Sequence, residues 1–425
     1  MLRSVPRPYA TAVRHEICLY KVHDIDSTRV WTLATFQDIE EDNAVPHHNS
    51  VMHSVLQHVP WAEFERLVTE HDADRKERGF TSKSHLIAML YAQLSGASAL
   101  REVVGGMQSH AAQLYHLGAR PVARSTLADA NRDRPSALFA DLFTAMVGRL
   151  GRGMRRKLAE AVYLIDASVL PLTAASASWA RFSATVAGAK MHVIYDAQAE
   201  RPIYAAVTPA NVNDITAAEA MPIEPGATYV FDLGYYDYAW WAKLDRAQCR
   251  IVTRFKSNTP LEVVETLPLP AGSAVLSDRI GFLPRRQANN RRNPIGDAVR
   301  EVRVCTETGK ELRILSNDLD APAQEIADLY RRRWAIELFF RWVKQTLRLR
   351  KFLGTHENAV RIQIATALIA FLLLRLAQAT QAAVVSPLAF ARLIRSNLMH
   401  RRALAHLLLP PPPRSLANPN QLALL

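Results

Sequence analysis

Asp166 closes a short apolar run, Val162-Tyr163-Leu164-Ile165, and Asp232 closes another, Thr228-Tyr229-Val230-Phe231. Each run reads as a buried strand with a carboxylate at its tip. In open α/β sheets, side chains converge beyond the carboxyl ends of the strands. Two aspartates on neighbouring tips could hold Mg²⁺, a hard cation that takes oxygen ligands and keeps several waters. Either aspartate alone could equally cap the turn that follows it. A third acid lies in Tyr330 to Lys344, a segment with neither Pro nor Gly. Tyr330, Arg333, Glu337, Arg341 and Lys344 follow one another at steps of 3, 4, 4 and 3. At about 100° per residue they share one helix face. Ile336, Phe339, Phe340 and Val343 supply an apolar face opposite. The polar stripe also suits a salt-bridged surface helix, with Glu337 paired to Arg333 and Arg341.

Residues 1 to about 45 mix Pro, His and charge without periodicity and read as a disordered extension, with the natural start near Val45. Residues 46–157 read as all-helical, with Ser82 or Ser84 as an N-cap before an apolar helix. Strand texture begins at Ala161. Lys190 to Asp196 and Arg201 to Thr208 read as a hairpin, and Arg250 to Phe255 as another strand. Several short β-like runs lie between Pro260 and Asn317. Helices return over Ala323 to Leu349, Asn358 to Ala382 and Pro387 to Leu409. The most apolar stretch, Ile364 to Leu374, is too short to span a bilayer, which needs about 20 residues, and reads as a buried helix.

The 425 residues suffice for two or three domains. Hydrophobic content of 49% and charged content of 22% are those of a globular chain, which excludes collagen-like, mostly disordered and disulfide-scaffold classes. Three dispersed cysteines, Cys18, Cys249 and Cys305, make no CxxC and fit a reducing cytoplasm. The net charge of +12 suits a polyanionic partner, since each Lys or Arg that neutralises a phosphate releases a counterion. Charge alone does not separate DNA, RNA and anionic membrane.

Tyr-x2-Arg-x3-Glu-x6-Lys, filled by Tyr330, Arg333, Glu337 and Lys344, resembles the signature helix of the insertion-sequence-4-type DDE transposases of bacteria. Asp166 in Leu-Ile-Asp-Ala-Ser and Asp232 in Val-Phe-Asp-Leu-Gly-Tyr-Tyr-Asp resemble that family's first and second acids. Gly188 to His192, Asn213-Asp214 and Arg254-Phe255-Lys256 belong to the same resemblance, which runs from about Val45 to the C-terminus.

The resemblance implies an α/β fold: an RNase H-like catalytic core with a β-rich insertion, preceded by an all-helical N-terminal domain and followed by a helical C-terminal region. The corresponding bounds are 1–45 for the extension, 46–157 for the DNA-binding domain, 158–358 for the catalytic domain with its insertion at about 258–318, and 359–425 for the C-terminal region. The interval between second and third acids, 337 − 232 = 105 residues, has room for the insertion. The implied activity is cut-and-paste transposition: binding of terminal inverted repeats, metal-dependent cleavage, and attack of the freed 3′-hydroxyl on target DNA, with a hairpin intermediate. Asp166, Asp232 and Glu337 are implied as ligands of two Mg²⁺ ions, for which Mn²⁺ can substitute. A homodimer on DNA and no membrane partner are implied too.

Further residues are expected at DNA phosphates. These are Tyr330, Arg333, Arg341 and Lys344; Arg254 and Lys256; Lys190 and His192, read as one strand face near the acids; and Arg285, Arg286, Arg291 and Arg292 in a cation-dense loop. Arg124, Ser125, Thr126, Asn131 and Arg132 are expected against the inverted repeat. Trp240 and Trp241 follow the second acid, and at least one should enter the core. Relatives that use a hairpin can hold a flipped base on an aromatic ring of the insertion. Here Phe282 is the one aromatic between Pro260 and Asn317, and it reads as a core residue. Two other classes stand beside this reading. One is an RNase H-like nuclease or resolvase without strand transfer, the other a non-catalytic DNA-binding descendant.

Overall fold

The computed structural model describes residues 49–75, 79–152, 161–183, 186–269, 274–286, 291–306, 308–381, 383 and 386–408. The extension expected over residues 1–45 lies outside the described residues.

The described chain opens with helices α1 (Val51–Leu56), α2 (Trp61–Glu70), α3 (Ser82–Ser95), α4 (Leu100–Ser109), α5 (Ala111–Leu117), α6 (Arg124–Asp133) and α7 (Ser136–Arg152). Thr81, not Ser82 or Ser84, caps α3: its hydroxyl accepts the Ser84 amide at 3.3 Å. Gly96 ends α3 in the left-handed region, φ 75°, where a side chain would be strained. Strands follow: β1 (Val162–Leu172), β2 (Ala187–Asp196) and β3 (Arg201–Pro209), then α8 (Asp214–Ala218), β4 (Thr228–Phe231), α9 (Tyr238–Arg246) and β5 (Arg250–Arg254). After them come β6 (Glu262–Thr266), β7 (Val275–Phe282), β8 (Val299–Cys305) and β9 (Glu311–Ser316). The chain then runs through α10 (Ala323–Arg332), α11 (Trp334–Thr346), α12 (Glu357–Ala379), α13 (Pro387–Asn397) and α14 (Leu404–Leu408).

All the named strands join one mixed sheet in the order β3-β2-β1-β4-β5-β9-β8-β7-β6. β1, β4 and β5 run parallel at its centre, and antiparallel hairpins extend both sides. The β2–β3 hairpin forms as its alternation suggested. Alternation along each strand sends side chains to opposite faces. Leu164, Met191, Val193 and Val230 join one apolar cluster with Phe339, Phe340 and much of α12. Ile165, Ile194, Tyr229 and Phe231 join another under α9, where Trp240 and Trp241 are both buried. Helix α12 is long and apolar enough to cross a membrane by composition, but it lies largely buried, packed on α3, α6, α7 and the sheet. Phe339 meets Tyr195 at 5.2 Å and Phe371 at 5.1 Å between ring centroids. Burial at about 1.5–3 kcal/mol per large apolar side chain fixes α11 against the sheet.

Phe282 is 39% exposed at the end of β7 and is not the core residue expected. At the last residue of β7 its ring is only partly covered.

Candidate active site

Asp166 is not at a strand tip. β1 continues to Leu172 because its second half pairs with β2 in a long antiparallel ladder. Its parallel pairing with β4 stops at Leu164, however. Asp166 therefore stands two residues beyond the shared parallel register, and Asp232 stands one residue beyond β4. Both leave the carboxyl end of the central parallel strands, where the topology leaves a crevice.

The third acid arrives from the far end of the sequence. The expected continuous helix Ala323 to Leu349 is broken: α10 ends at Arg332, α11 starts at Trp334, and the segment closes at Thr346. Arg333 occupies the break. Its guanidinium donates to Asp166 Oδ2 at 3.3 Å and also pairs with Glu337 Oε1. Glu337 is thus held beside Asp166 across 337 − 166 = 171 positions of chain.

Burial, chiefly, and then the Asp232 charge push the Asp166 carboxyl up to about 7, with Glu337 adding to the rise. The Ala167 amide, 2.8 Å from Oδ1, and Arg333 act in the opposite direction. Asp232 accepts the Gly234 amide at 2.8 Å and caps a 3₁₀ turn over Leu233–Tyr235. A Cβ on Gly234 would stand 3.0 Å from Asp232 Oδ1 and 3.0 Å from Asp214 Oδ2, so glycine leaves these carboxylates their room. Tyr235 is fully buried, and among the described residues its hydroxyl has no hydrogen-bond partner.

The remaining signature residues surround this centre. Tyr330 is 8% exposed with its ring 6.0 Å from the Arg333 guanidinium carbon. Burial raises its hydroxyl pKa. Lys344 donates to the Val169 carbonyl at 2.8 Å. Burial, then Arg350, lowers its pKa. A groove of about 300 Å³ is lined by Asp166, Ser168, Glu337, Arg341, Lys344 and Arg350. Arg341 does not pair with Glu337; its guanidinium lies 5.6 Å from the Trp334 ring centroid.

Lys190 and His192 share a face, but the wrong one. Their β1 partners are Val169 and Ala167, so they point away from Asp166, whose partner is Val193. His192 is fully buried, bonded to Thr208 at 2.9 Å, and burial depresses its pKa to about 4. It has no surface to offer a phosphate. Lys190 is tied to Asp214 at 2.9 Å and to the Val212 carbonyl at 2.8 Å. Asn131 is also withdrawn from the expected interface. It is 2% exposed and hydrogen-bonded to His85 of α3 at 2.8 Å, because the inner face of α6 packs on α12 and α4. Arg124, Ser125 and Thr126 are exposed, and Arg132 pairs with Asp129 and Asp133. Arg254 is half-buried and lies in the field of Tyr330, while Lys256 is exposed. Arg285, Arg286, Arg291 and Arg292 are exposed, with an isolated bridge joining Arg286 to Arg292; residues 287–290 lie outside the described residues.

A divalent cation fits this centre in kind. The donors are carboxylates, two of which repel each other, and a buried hydroxyl beside them is unpartnered. Among the described residues, no three His, Cys, Asp or Glu side chains yet stand at ligand spacing. The Arg333 guanidinium supplies the neutralising charge between Asp166 and Glu337. Asp214, Tyr235 and Arg350 also border the centre, although the motifs assign them no role. The Gly-Tyr after Asp232 and the basic run after Lys344 were the available signals.

Residues 157–373, half of the chain, match the family model described as "Transposase DDE domain". Residues 47–120 match one described as "Domain of unknown function (DUF4372)". The chain is 40% identical over 291 residues to transposase y4zB of Sinorhizobium fredii, covering 67% of this chain and 80% of that one. It is 28% identical over 255 residues to a transposase for insertion sequence element IS5377 of Geobacillus stearothermophilus, covering 59% of this chain and 66% of that one. A piggyBac transposase synaptic complex with hairpin DNA aligns over 86% of this chain and 83% of its own, at 11% identity and a TM-score of 0.44.

The chain belongs to the DDE transposase family. It is an enzyme of DNA transposition, cleaving DNA and transferring strands, and enzymes of this family use divalent metal ions.

Proposed function

We propose that this transposase is of the insertion-sequence-4 type and moves its element by cut-and-paste. In this reading the sheet around β1, β4 and β5 is an RNase H-like core, with β6–β9 as its insertion. Residues 46–157 bind the terminal inverted repeats, and residues 359–425 serve assembly of a homodimer on DNA. The observation that carries the reading is Arg333, which ties Asp166 to Glu337 in one groove beside Asp232. Residues from three distant parts of the chain thus meet as like charges, and the repulsion is felt at Asp166.

Asp166, Asp232 and Glu337 would hold two Mg²⁺ ions, whose chemistry is to activate the attacking oxygen and stabilise the leaving one. Arg333, once displaced from the acids, and Lys344 bind phosphates flanking the scissile bond. Tyr330 orients a phosphate or packs on a deoxyribose. Arg341, Arg254, Lys256 and the loop cations Arg285, Arg286, Arg291 and Arg292 grip the backbone. Arg124, Ser125 and Thr126 of α6 face the inverted repeat.

The test uses the element itself. Short inverted repeats should flank the coding sequence in its source DNA. A linear duplex bearing one repeat, incubated with protein, Mg²⁺ and a target plasmid, should yield molecules joined end to target. Cleaved but never joined products would instead make the protein a nuclease without strand transfer.

A further inference from the structure

Away from the three acids, Arg279 of β7, Arg303 of β8 and Arg313 of β9 stand side by side on one face of the sheet. All three share the carboxylate of Glu301, at 2.9, 2.9 and 2.5 Å. Glu301 is 1% exposed, so it forms a floor and the guanidiniums are held above it. One carboxylate serving three cations leaves 3 − 1 = 2 positive charges, of which exposed Glu311 offsets one through Arg303 at 3.2 Å. Among the described residues, Arg279 Nε is buried without a hydrogen-bond partner. Between these arginines and the loop that follows β5 lies a groove of about 320 Å³, to which Ser257, Asn258 and Thr259 add hydroxyl and amide groups.

The groove is tied to the catalytic end of the sheet. Arg313 donates to the carbonyls of Lys256, Ser257 and Thr259 at 2.7, 2.9 and 3.1 Å. Thr259 bonds the hydroxyl of Tyr236 at 3.0 Å, and Tyr236 lies four residues after Asp232. β4 and β5 are parallel, so Asp232 and this loop leave the sheet at the same end. β9, β8 and β7 are the second, third and fourth strands from β4, about 10–19 Å away at ~4.8 Å per strand. A DNA strand advances about 3.4 Å per nucleotide along its axis, so about three to six nucleotides cover that distance.

We infer that the Arg279–Arg303–Arg313 groove is a phosphate subsite, which takes a backbone phosphodiester of the DNA strand about three to six nucleotides from the one at the acids. Arg279 and Arg303 suit this role because a planar arginine fork meets two phosphate oxygens at once, while Arg313, whose donors go to Glu301 and the loop carbonyls, adds charge. The buried glutamate pre-positions the forks, so little side-chain freedom is lost on binding. The inference rests on the DNA-transposition reading.

Binding of an end-bearing duplex is measured across a salt series for wild type, the double variant Arg279→Gln/Arg303→Gln, and Asn258→Asp. Asn258 is exposed and is not a partner of Glu301, so Asn258→Asp adds negative charge to the groove while sparing the ion-pair network. Both variants should bind about tenfold or more weakly. The double variant should also lose about 0.9 from its log–log salt slope per phosphate contact removed. If the double variant melts below the assay temperature, Asn258→Asp decides alone. Wild-type affinity in Asn258→Asp, or wild-type affinity and slope in a folded double variant, overturns the subsite. No salt-dependent binding by wild type would overturn the DNA reading itself, and the subsite with it.

Discussion

At the scale of single residues, the site is poised but unsatisfied. Asp166 carries this most clearly. Its carboxyl is raised to about 7, against an ordinary value near 4. Folding therefore favours its protonated form. The penalty for ionisation is absent below about pH 4, grows as pH rises, and is complete above about pH 7. With a chelator present, wild type should lose on the order of 4 kcal/mol of stability over that rise from this group. Asp166→Asn should flatten this loss in urea titrations run at several pH values, while abolishing cleavage. Parallel pH profiles for the two proteins would contradict it. A metal ion binding at pH 6 must also expel a proton, so its affinity should fall as pH drops below 7.

Among elements, the sequence makes the types of segment legible and the pairings much less so. The apolar run before Asp232 is β4, and the stripe from Tyr330 to Lys344 does converge on the acids. What periodicity does not carry is register. Shifting by one residue sends every side chain to the other face, and that is why Lys190 and His192 point away from Asp166. β1 extends past Asp166 for a similar reason: its partner, β2, begins 187 − 172 = 15 residues after β1 ends. Asn131 looked like a polar surface residue, but its partner His85 is 46 positions away. Helix ends show the same dependence on distant residues. Asn358 at the start of α12 donates to the Asn131 and Arg134 carbonyls at 3.1 and 2.6 Å and accepts the Ser136 amide at 3.2 Å. It thereby satisfies the end of α6 and the start of α7 together. Asn358→Ala should destabilise the protein by about 1–3 kcal/mol in denaturant melts. An unchanged midpoint would mean that water replaces the asparagine at no cost.

For the molecule as a whole, the central claim is that Asp166, Asp232 and Glu337 form one centre that cuts DNA, flanked by cations that hold it. The alternative is a salt-bridged helix whose charges matter only to stability, at about 0.3–0.5 kcal/mol per exposed pair. Purified wild type, Glu337→Gln, Arg333→Ala and Lys344→Ala can be compared on one end-bearing duplex with Mg²⁺, each preparation assayed for binding, cleavage and thermal melting. Glu337→Gln should bind like wild type and cleave at least about a hundredfold more slowly, since it keeps the shape and loses a ligand charge. Arg333→Ala and Lys344→Ala should weaken binding about 10- to 150-fold, and cleavage with it. Variants that bind and cleave like wild type, and differ only in melting temperature, would contradict the account.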